Sequence, residues 1–220
     1  MQKIFLVSYC TDKDIDYLKR IINSEDILVG VDQGTDLLLK KDLSPDYIIG
    51  DFDSFSIKDN ELPKKTKVLK LNPIKDETDL EYAIRYFQTT YRERRHPTCI
   101  KSELQSIIIV NNLQGRIDHI LSVVHLLEII ECGYLWSADQ EIYLPKNHFY
   151  SEIPLNSTIS LIPLTESVKN ITTKGLLYRL DNESLLREKS KGVSNKNVDK
   201  KVEINFSVGK LLIIINKGAI

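Results

Sequence analysis

A change of pattern near Ser137 constrains the fold more than any other feature of this sequence. Before Ser137, short apolar runs alternate with helical patterns, the clearest of which follows Thr78. The runs predict strands at Ile4 to Val7, Ile27 to Val31, Tyr47 to Ile49, Lys67 to Leu71 and Ile107 to Val110. After Ser137, the helical period disappears and short strand-like segments separated by turn residues take over. Strands that alternate with helices are typical of a mostly parallel sheet, whereas successive short strands are typical of an all-β domain.

We therefore predict two domains. Residues 1–137 are expected to form a mostly parallel, Rossmann-like α/β sheet with helices, and residues 138–220 a small all-β sandwich. The strands predicted in the second domain are Glu141 to Leu144, Thr158 to Ile162, Val168 to Thr172, Leu176 to Leu180, Val202 to Phe206 and Leu211 to Ile215. With 220 residues, 42% of them hydrophobic, the chain is long enough to bury a substantial core.

Charge and cysteine content exclude several classes of protein. The formal net charge is -1, which argues against a general binder of nucleic acid or of membrane surfaces. The cysteines Cys10, Cys99 and Cys132 are far apart and form no C-x-x-C pair, so neither a disulfide framework nor a zinc knuckle is expected. The sequence has no signal-peptide pattern and no apolar run near the ~20 residues of a membrane span, which predicts a cytoplasmic protein.

The segment with the most chemical information is Gly50-Asp51-Phe52-Asp53, which closes the apolar run beginning at Tyr47. In an extended segment alternate side chains point to the same side, so Asp51 and Asp53 are able to bind one hard cation. Gly50 has no side chain and is expected to let a ligand approach the backbone closely.

Further polar clusters follow other predicted strands. They are Asp32 with Gly34, Lys75 and Asp76 with Asp79, and Gly115 and Arg116 with Asp118. Taken singly, such residues are commonly helix caps or turn residues. Because ligands of open α/β sheets bind at the carboxyl ends of the strands, four clusters at successive strand ends favour one shared crevice.

The residue types in this crevice indicate phosphate chemistry with a metal ion. Magnesium prefers oxygen ligands and usually takes one or two carboxylates, and Asp51, Asp53 and Asp79 meet that need. Arg116 offers a planar fork for bidentate contact with phosphate, aimed by a turn at Gly115. Composition and spacing alone thus predict magnesium-dependent phosphate chemistry.

Three more side chains near the crevice have a predicted role. Lys75 is placed to neutralise a phosphate oxygen, and Asp76 shares a helix face with Asp79. His119 is either a base or, as is more common beside a packed helix, a hydrogen-bonded structural residue.

Taken in order, these residues resemble thiamine pyrophosphokinase of the bacterial type. The resemblance covers nearly the whole chain. It rests on Asp32-Gln33-Gly34, Pro45-Asp46 with Gly50-Asp51-Phe52-Asp53-Ser54, Lys75-Asp76-Glu77-Thr78-Asp79, Gly115-Arg116-Ile117-Asp118-His119, Thr173-Lys174-Gly175-Leu176 with Tyr178, and Gly192-Val193-Ser194-Asn195. The family usually has two glycines before the arginine, and the first of them is Gln114 in this chain. The glycine that the family has a few residues earlier is Asn111 here.

The resemblance implies an enzyme that transfers the terminal pyrophosphate of ATP to the hydroxyl of thiamine, releasing AMP, with Mg²⁺ as cofactor. It implies that Asp32 and Gly34 border the nucleotide crevice, and that Asp118 accepts the hydroxyl proton or completes the metal shell. It also implies that Ser194 and Asn195 bind the aminopyrimidine ring of thiamine. The partner would be a second copy, in a homodimer with shared active sites in which the catalytic domain of one subunit faces the β-domain of the other.

Two other readings of the same residues remain open. A D-x-D glycosyltransferase or a phosphohydrolase would also bind magnesium and a phosphorylated ligand, although neither gives a role to the turn at Ser194 and Asn195. A catalytically silent sensor of thiamine diphosphate is a third possibility, against which the number of converging acidic residues argues. The products formed from ATP and thiamine distinguish the three.

Overall fold

The structure is a computed structural model that describes residues 2–51, 63–93 and 106–218. The chain divides into two compact units, Met1–Ala138 and Asp139–Ile220. In the first unit the strands are β1 (Lys3–Val7), β2 (Ile27–Val31), β3 (Tyr47–Gly50), β4 (Lys67–Lys70), β5 (Ser106–Val110) and β6 (Gly133–Trp136). The helices are α1 (Asp12–Ile21), α2 (Gln33–Lys40), α3 (Asp79–Glu93) and α4 (Ile117–His125), and a 3-10 turn, Leu126–Ile129, follows α4.

The first unit is built on a parallel sheet with the strand order β6-β5-β1-β2-β3-β4. The central strands β1 and β5 are buried along almost their whole length. Such continuous burial is expected of parallel strands that helices cover on both faces. All the strands point the same way, so their carboxyl ends lie along one edge of the sheet.

The second unit contains only strands and irregular structure among its described residues. The strands are β7 (Gln140–Tyr143), β8 (His148–Glu152), β9 (Thr158–Pro163), β10 (Ser167–Lys174), β11 (Glu183–Leu186), β12 (Asn195–Lys196), β13 (Lys201–Asn205) and β14 (Leu211–Asn216). They pair antiparallel in the orders β12-β9-β14-β7 and β11-β10-β13-β8. One apolar core joins the two layers, with Ile159 and Ile213 from the first and Val168 and Ile204 from the second. The predicted fold class, a parallel α/β sheet followed by a β-sandwich, is confirmed.

The strand predicted from Leu176 to Leu180 is wrong. Leu176 makes an isolated bridge with Asn197, and the chain then leaves the ladder. The main chain of Tyr178 bonds to the side chain of Asn195 instead: Oδ1 accepts from Tyr178 N at 3.0 Å, and Nδ2 donates to Tyr178 O at 2.7 Å. A side-chain amide thus takes the place of a neighbouring strand, which apolar patterning does not reveal.

Four short strands, β6, β8, β11 and β12, were not among the predicted ones. They contain four, five, four and two residues, and β8 carries one buried residue, Phe149, in five positions. In the described part of the chain, no helix is both long enough and apolar enough to cross a bilayer.

Candidate active site

A cavity of about 620 Å³ lies in the first unit at the carboxyl ends of the parallel strands. Its lining includes Ser8 after β1, Asp32 after β2, Asp51 after β3 and Asn111 after β5. This is the position in which open α/β sheets bind ligands, because loops from neighbouring strands diverge there and leave a crevice.

The cavity brings together seven of the residues predicted for the site. They are Asp32, Asp51, Lys75, Asp79, Gly115, Arg116 and His119. Gly34, Asp76 and Asp118 do not line it, and Ser194 and Asn195 belong to the second unit. The predicted metal ligand Asp53 lies outside the described residues.

Three carboxylates form the most highly charged part of the cavity. Asp32, Asp51 and Asp79 each offer an oxygen within 4.8 Å of the others. Asp79 is the most buried of the three, with 8% of its surface exposed. Thr78 caps helix α3 by accepting a hydrogen bond from Glu81 N at 3.2 Å. Asp79 is therefore not needed as a cap, and its carboxylate lies close to those of Asp32 and Asp51.

Asp32 joins this cluster through an unusual backbone conformation. Its φ is +48°, a value that glycine adopts more readily than aspartate, and its side chain makes no capping bond to α2. Such strain is commonly found at functional sites, where the surrounding structure maintains it. A Cβ on Gly50 would lie 2.7 Å from Asp32 Oδ1, so the missing side chain at Gly50 makes room for this carboxylate.

The close approach of the acids changes their ionisation. Burial of the carboxyl group, its hydrogen bond to Asp79 and the charges of Asp79 and Asp51 raise the pKa of Asp32 to about 8. Asp32 as a residue is exposed, but its carboxyl group faces the other acids, and those surroundings determine the pKa. Burial acts to raise the pKa of Asp79 too, but hydrogen bonds with Asp32 and Lys75 outweigh it and lower that pKa. One proton is therefore shared within the pair near neutral pH.

Lys75 supplies the cationic partner of the cluster. Its Nζ forms an ion pair with Asp79 Oδ1 and donates a hydrogen bond to Asn72 O at 3.3 Å. Only 18% of the Lys75 side chain is exposed. The ammonium group is thus held beside the acids inside the cavity.

The raised pKa of Asp32 predicts a pH dependence for stability in the absence of metal. The unfolded chain releases this proton near pH 3.8 and the folded chain near pH 8, so the folded state binds more protons between these values. The contribution of Asp32 to the free energy of unfolding therefore falls as the pH rises from about 4 to about 8. Urea unfolding with a chelator present, followed by fluorescence of Trp136, the single tryptophan, measures this in the first unit.

Asp32→Asn provides the comparison, since the amide does not titrate. We expect the variant to gain stability over the wild type at pH 8 and to gain less, or none, at pH 5. An equal stability difference at both pH values would contradict the raised pKa.

Arg116 and Asp118 form an ion pair at the start of α4. Arg116 Nη2 lies 2.5 Å from Asp118 Oδ2, and Nε lies 3.2 Å from Oδ1, which is a two-pronged contact. Both side chains are exposed. The contact lowers the pKa of Asp118 through its hydrogen bond to the guanidinium. Asp118 thus orients Arg116 at the rim of the cavity.

The loop that carries Arg116 is held by two asparagines. Asn111 is buried; its Oδ1 accepts from Leu113 N at 2.8 Å and its Nδ2 donates to Ser8 Oγ at 3.1 Å. Asn112 Oδ1 accepts from Gln114 N at 3.1 Å. These side-chain turns support a backbone in which Leu113 has a φ of +54°. The position of Asn111, noted from the sequence only as a departure from a glycine, therefore has a structural role in the site.

Ser194 and Asn195, the residues predicted to bind thiamine, lie in the second unit and differ from each other in burial. Asn195 is buried and its amide bonds the main chain of Tyr178, as described above; Oδ1 also accepts from Lys196 N at 2.8 Å. Ser194 is exposed, with a φ of +59°. Asn195 thus fixes the segment at Tyr178, while Ser194 and the 69% exposed Tyr178 face solvent.

Comparison with known proteins accounts for both units. Residues 18–134 match the model of the thiamin pyrophosphokinase catalytic domain, and residues 141–211 match that of its vitamin B1 binding domain. Thiamine pyrophosphokinase of Bacillus subtilis (strain 168) is 26% identical over 194 residues, which is 84% of this chain and 85% of that protein.

Solved structures show the same fold. Thiamin pyrophosphokinase from Geobacillus thermodenitrificans superposes with a TM-score of 0.83 at 23% identity, covering 99% of both chains. The Candida albicans enzyme superposes with a TM-score of 0.77 at 18% identity, covering 98% of this chain and 89% of that one. Since the catalytic-domain match alone spans more than half of the 220 residues, and the second domain follows in the expected place, the chain belongs to the thiamin pyrophosphokinase family.

Proposed function

We propose that this thiamine diphosphokinase carries out its reaction in the cavity of the first unit, with Mg²⁺ bound by Asp32, Asp51 and Asp79. The reaction moves pyrophosphate from ATP to the hydroxyl of thiamine and releases AMP. The observation that carries the proposal is the convergence of three carboxylates, one lysine and one arginine on a single cavity at the strand ends.

The residues present fit a hard divalent cation. The three acids supply oxygen ligands, as magnesium requires, and leave room for water or phosphate oxygens in its other positions. Without a cation the cluster has to retain a proton, which the raised pKa of Asp32 reflects. We propose Asp53 as a further ligand on the sequence pattern alone. When bound, the ion would neutralise charge on the phosphates.

The chain's own cations would act on the transferred group. Arg116 pairs with Asp118 through Nε and Nη2, which leaves the outer edge of its guanidinium, formed by Nη1 and Nη2, to contact phosphate at the rim. Lys75 would neutralise a phosphate oxygen deeper in the cavity. Both residues would stabilise the negative charge that develops as the bond to the α-phosphate breaks. Asn111 would maintain this arrangement by holding the loop before Arg116.

The reaction is tested by its products. Purified protein is incubated with ATP, thiamine and Mg²⁺, and nucleotides and thiamine phosphates are separated by chromatography. We expect AMP and thiamine diphosphate in equal amounts. ADP with thiamine monophosphate would indicate a simple kinase, release of phosphate without thiamine diphosphate would indicate a hydrolase, and binding without turnover would indicate a sensor. Any of these outcomes would overturn the proposal.

We further propose a homodimer with shared active sites, in which the second unit binds thiamine for the cavity of its partner. The family's vitamin B1 binding domain falls on the second unit, and the exposed Tyr178 and Ser194 there support a binding surface.

Refolding of mixed subunits tests this arrangement. A chain with Asp51→Asn and a chain with Asn195→Ala, each first shown to be folded, should be nearly inactive alone. Random pairing gives about half heterodimers with one intact site each, so about a quarter of all sites should recover. A mixture that stays inactive although heterodimers form would show that each site lies within one chain.

A further inference from the structure

Lys75 and a divalent cation would compete for the same carboxylate. The Lys75 ammonium is ion-paired with Asp79, and Asp79 is one of the three acids whose oxygens lie within 4.8 Å of one another. Both the lysine side chain, 18% exposed, and that of Asp79, 8% exposed, are largely shielded from water. In such surroundings a unit charge a few ångströms away acts with little screening, so an ammonium at Asp79 opposes the entry of a second positive ion.

Few other contacts hold the Lys75 ammonium among the described residues. Lys75 precedes α3, and besides the ion pair with Asp79 its Nζ donates there one hydrogen bond, of 3.3 Å, to the main chain of Asn72. A lysine has a flexible four-carbon stem and carries its charge to a new partner without a change in the backbone. The cavity that it lines also contains the predicted phosphate contacts, so a second anionic partner is within the same space.

We propose that Lys75 holds the place of the divalent cation at Asp79 in the free enzyme and leaves it for a phosphate oxygen when the cation and nucleotide bind. The inference rests on the proposed magnesium site. In the free enzyme the lysine offsets the charge of the acids, and in the loaded enzyme the same ammonium serves the phosphates. The arrangement weakens binding of the cation alone and favours binding of the cation together with nucleotide.

We predict that a variant without the Lys75 charge binds the metal more tightly and has a lower turnover. Lys75→Met keeps the apolar stem and removes the charge. In the absence of nucleotide we expect Mn²⁺, used as a probe for Mg²⁺ and followed by electron paramagnetic resonance, to bind at least about tenfold more tightly than to the wild type. The turnover of the same variant should fall, because the phosphates lose a cationic partner.

Two control variants test whether the change in Mn²⁺ affinity depends on the position of the charge. Lys70→Met removes an equal charge from the exposed end of β4, outside the cavity, and should leave Mn²⁺ affinity unchanged. Lys75→Arg keeps a charge at the same place and should retain the weak affinity of the wild type. A role of Lys75 in maintaining the fold would not raise metal affinity in any of these variants.

The outcomes separate this inference from the proposed function. If Lys75→Met binds Mn²⁺ no more tightly than the wild type, and Asp51→Asn abolishes that binding, the role of Lys75 is overturned and the metal site stands. If the gain in affinity survives Asp51→Asn, or if neither Lys75→Met nor the wild type binds Mn²⁺, the metal site is overturned together with the inference.

Discussion

The Asp79→Asn variant is expected to lose at least about a hundredfold in kcat while remaining folded. Asp79 is the buried member of the acid cluster, and an amide in its place is a poor ligand for a hard cation. The substitution also removes the ion pair with Lys75 and the hydrogen bond with Asp32. The formation of thiamine diphosphate in saturating Mg²⁺ measures the loss, and circular dichroism checks the fold.

Glu81→Gln is the matched control for this variant. Glu81 lies two residues further along α3, outside the cavity, and pairs with Arg85 on the helix surface at 2.8 Å. Glu81→Gln removes the same charge from the same helix as Asp79→Asn, so we expect its activity to be close to that of the wild type. Wild-type turnover by Asp79→Asn, or an equal loss in Glu81→Gln, would remove the basis for assigning Asp79 to the metal.

The sequence predicted the fold class because most elements of the first unit have a clear hydrophobic pattern. The run Ile107 to Val110 is buried throughout and forms most of β5, and the pattern after Thr78 becomes helix α3. The second unit was harder to predict. Strands such as β12 contain two residues, and the segment at Tyr178 is held by the amide of Asn195, a contact between residues 17 positions apart. A periodic pattern carries no information on such a contact.

The meeting place of the polar clusters was also predictable, because parallel strands end at one edge of a sheet. Which atoms face each other was not. Asp32 was expected only to border the crevice, and its carboxyl joins the acids because Gly50 leaves space and the backbone at Asp32 takes a positive φ. The signal was present in the sequence, since Asp32 closes β2 as Asp51 closes β3. Asp118, expected at the metal or as a base, pairs instead with Arg116 outside the cavity lining.

The structure indicates a packing role for Gly34, which was predicted to bind at the nucleotide crevice. It was assigned to the border of the nucleotide crevice, but it does not line the cavity. A Cβ at this position would lie 2.1 Å from Val7 O and 2.5 Å from Ser8 O, both main-chain atoms at the end of β1. The absence of a side chain thus lets the first turn of α2 pack against the sheet.

We therefore expect Gly34→Ala to destabilise the first unit. Within a helix, alanine is favoured over glycine by about 1 kcal/mol, but the clash with a buried strand outweighs this gain. Overpacking costs roughly 1–3 kcal/mol and sometimes more, and backbone contacts this short place the net loss at about 3 kcal/mol. The melting temperature should fall by roughly 6–12 °C, since 1 kcal/mol corresponds to about 2–4 °C in a chain of this size.

Trp136 makes this loss measurable in one unit, because the single tryptophan of the chain is buried in β6 with 2% of its surface exposed. Gly218→Ala is the control, since a Cβ there would meet no atom within 4 Å, and it should leave the melting temperature unchanged. If Gly34→Ala melts like the wild type but binds ATP more weakly, the glycine serves the nucleotide and the packing explanation is wrong. If it melts early and the folded fraction binds ATP normally, the close packing of α2 against the end of β1, and not contact with ligand, is what requires glycine at this position.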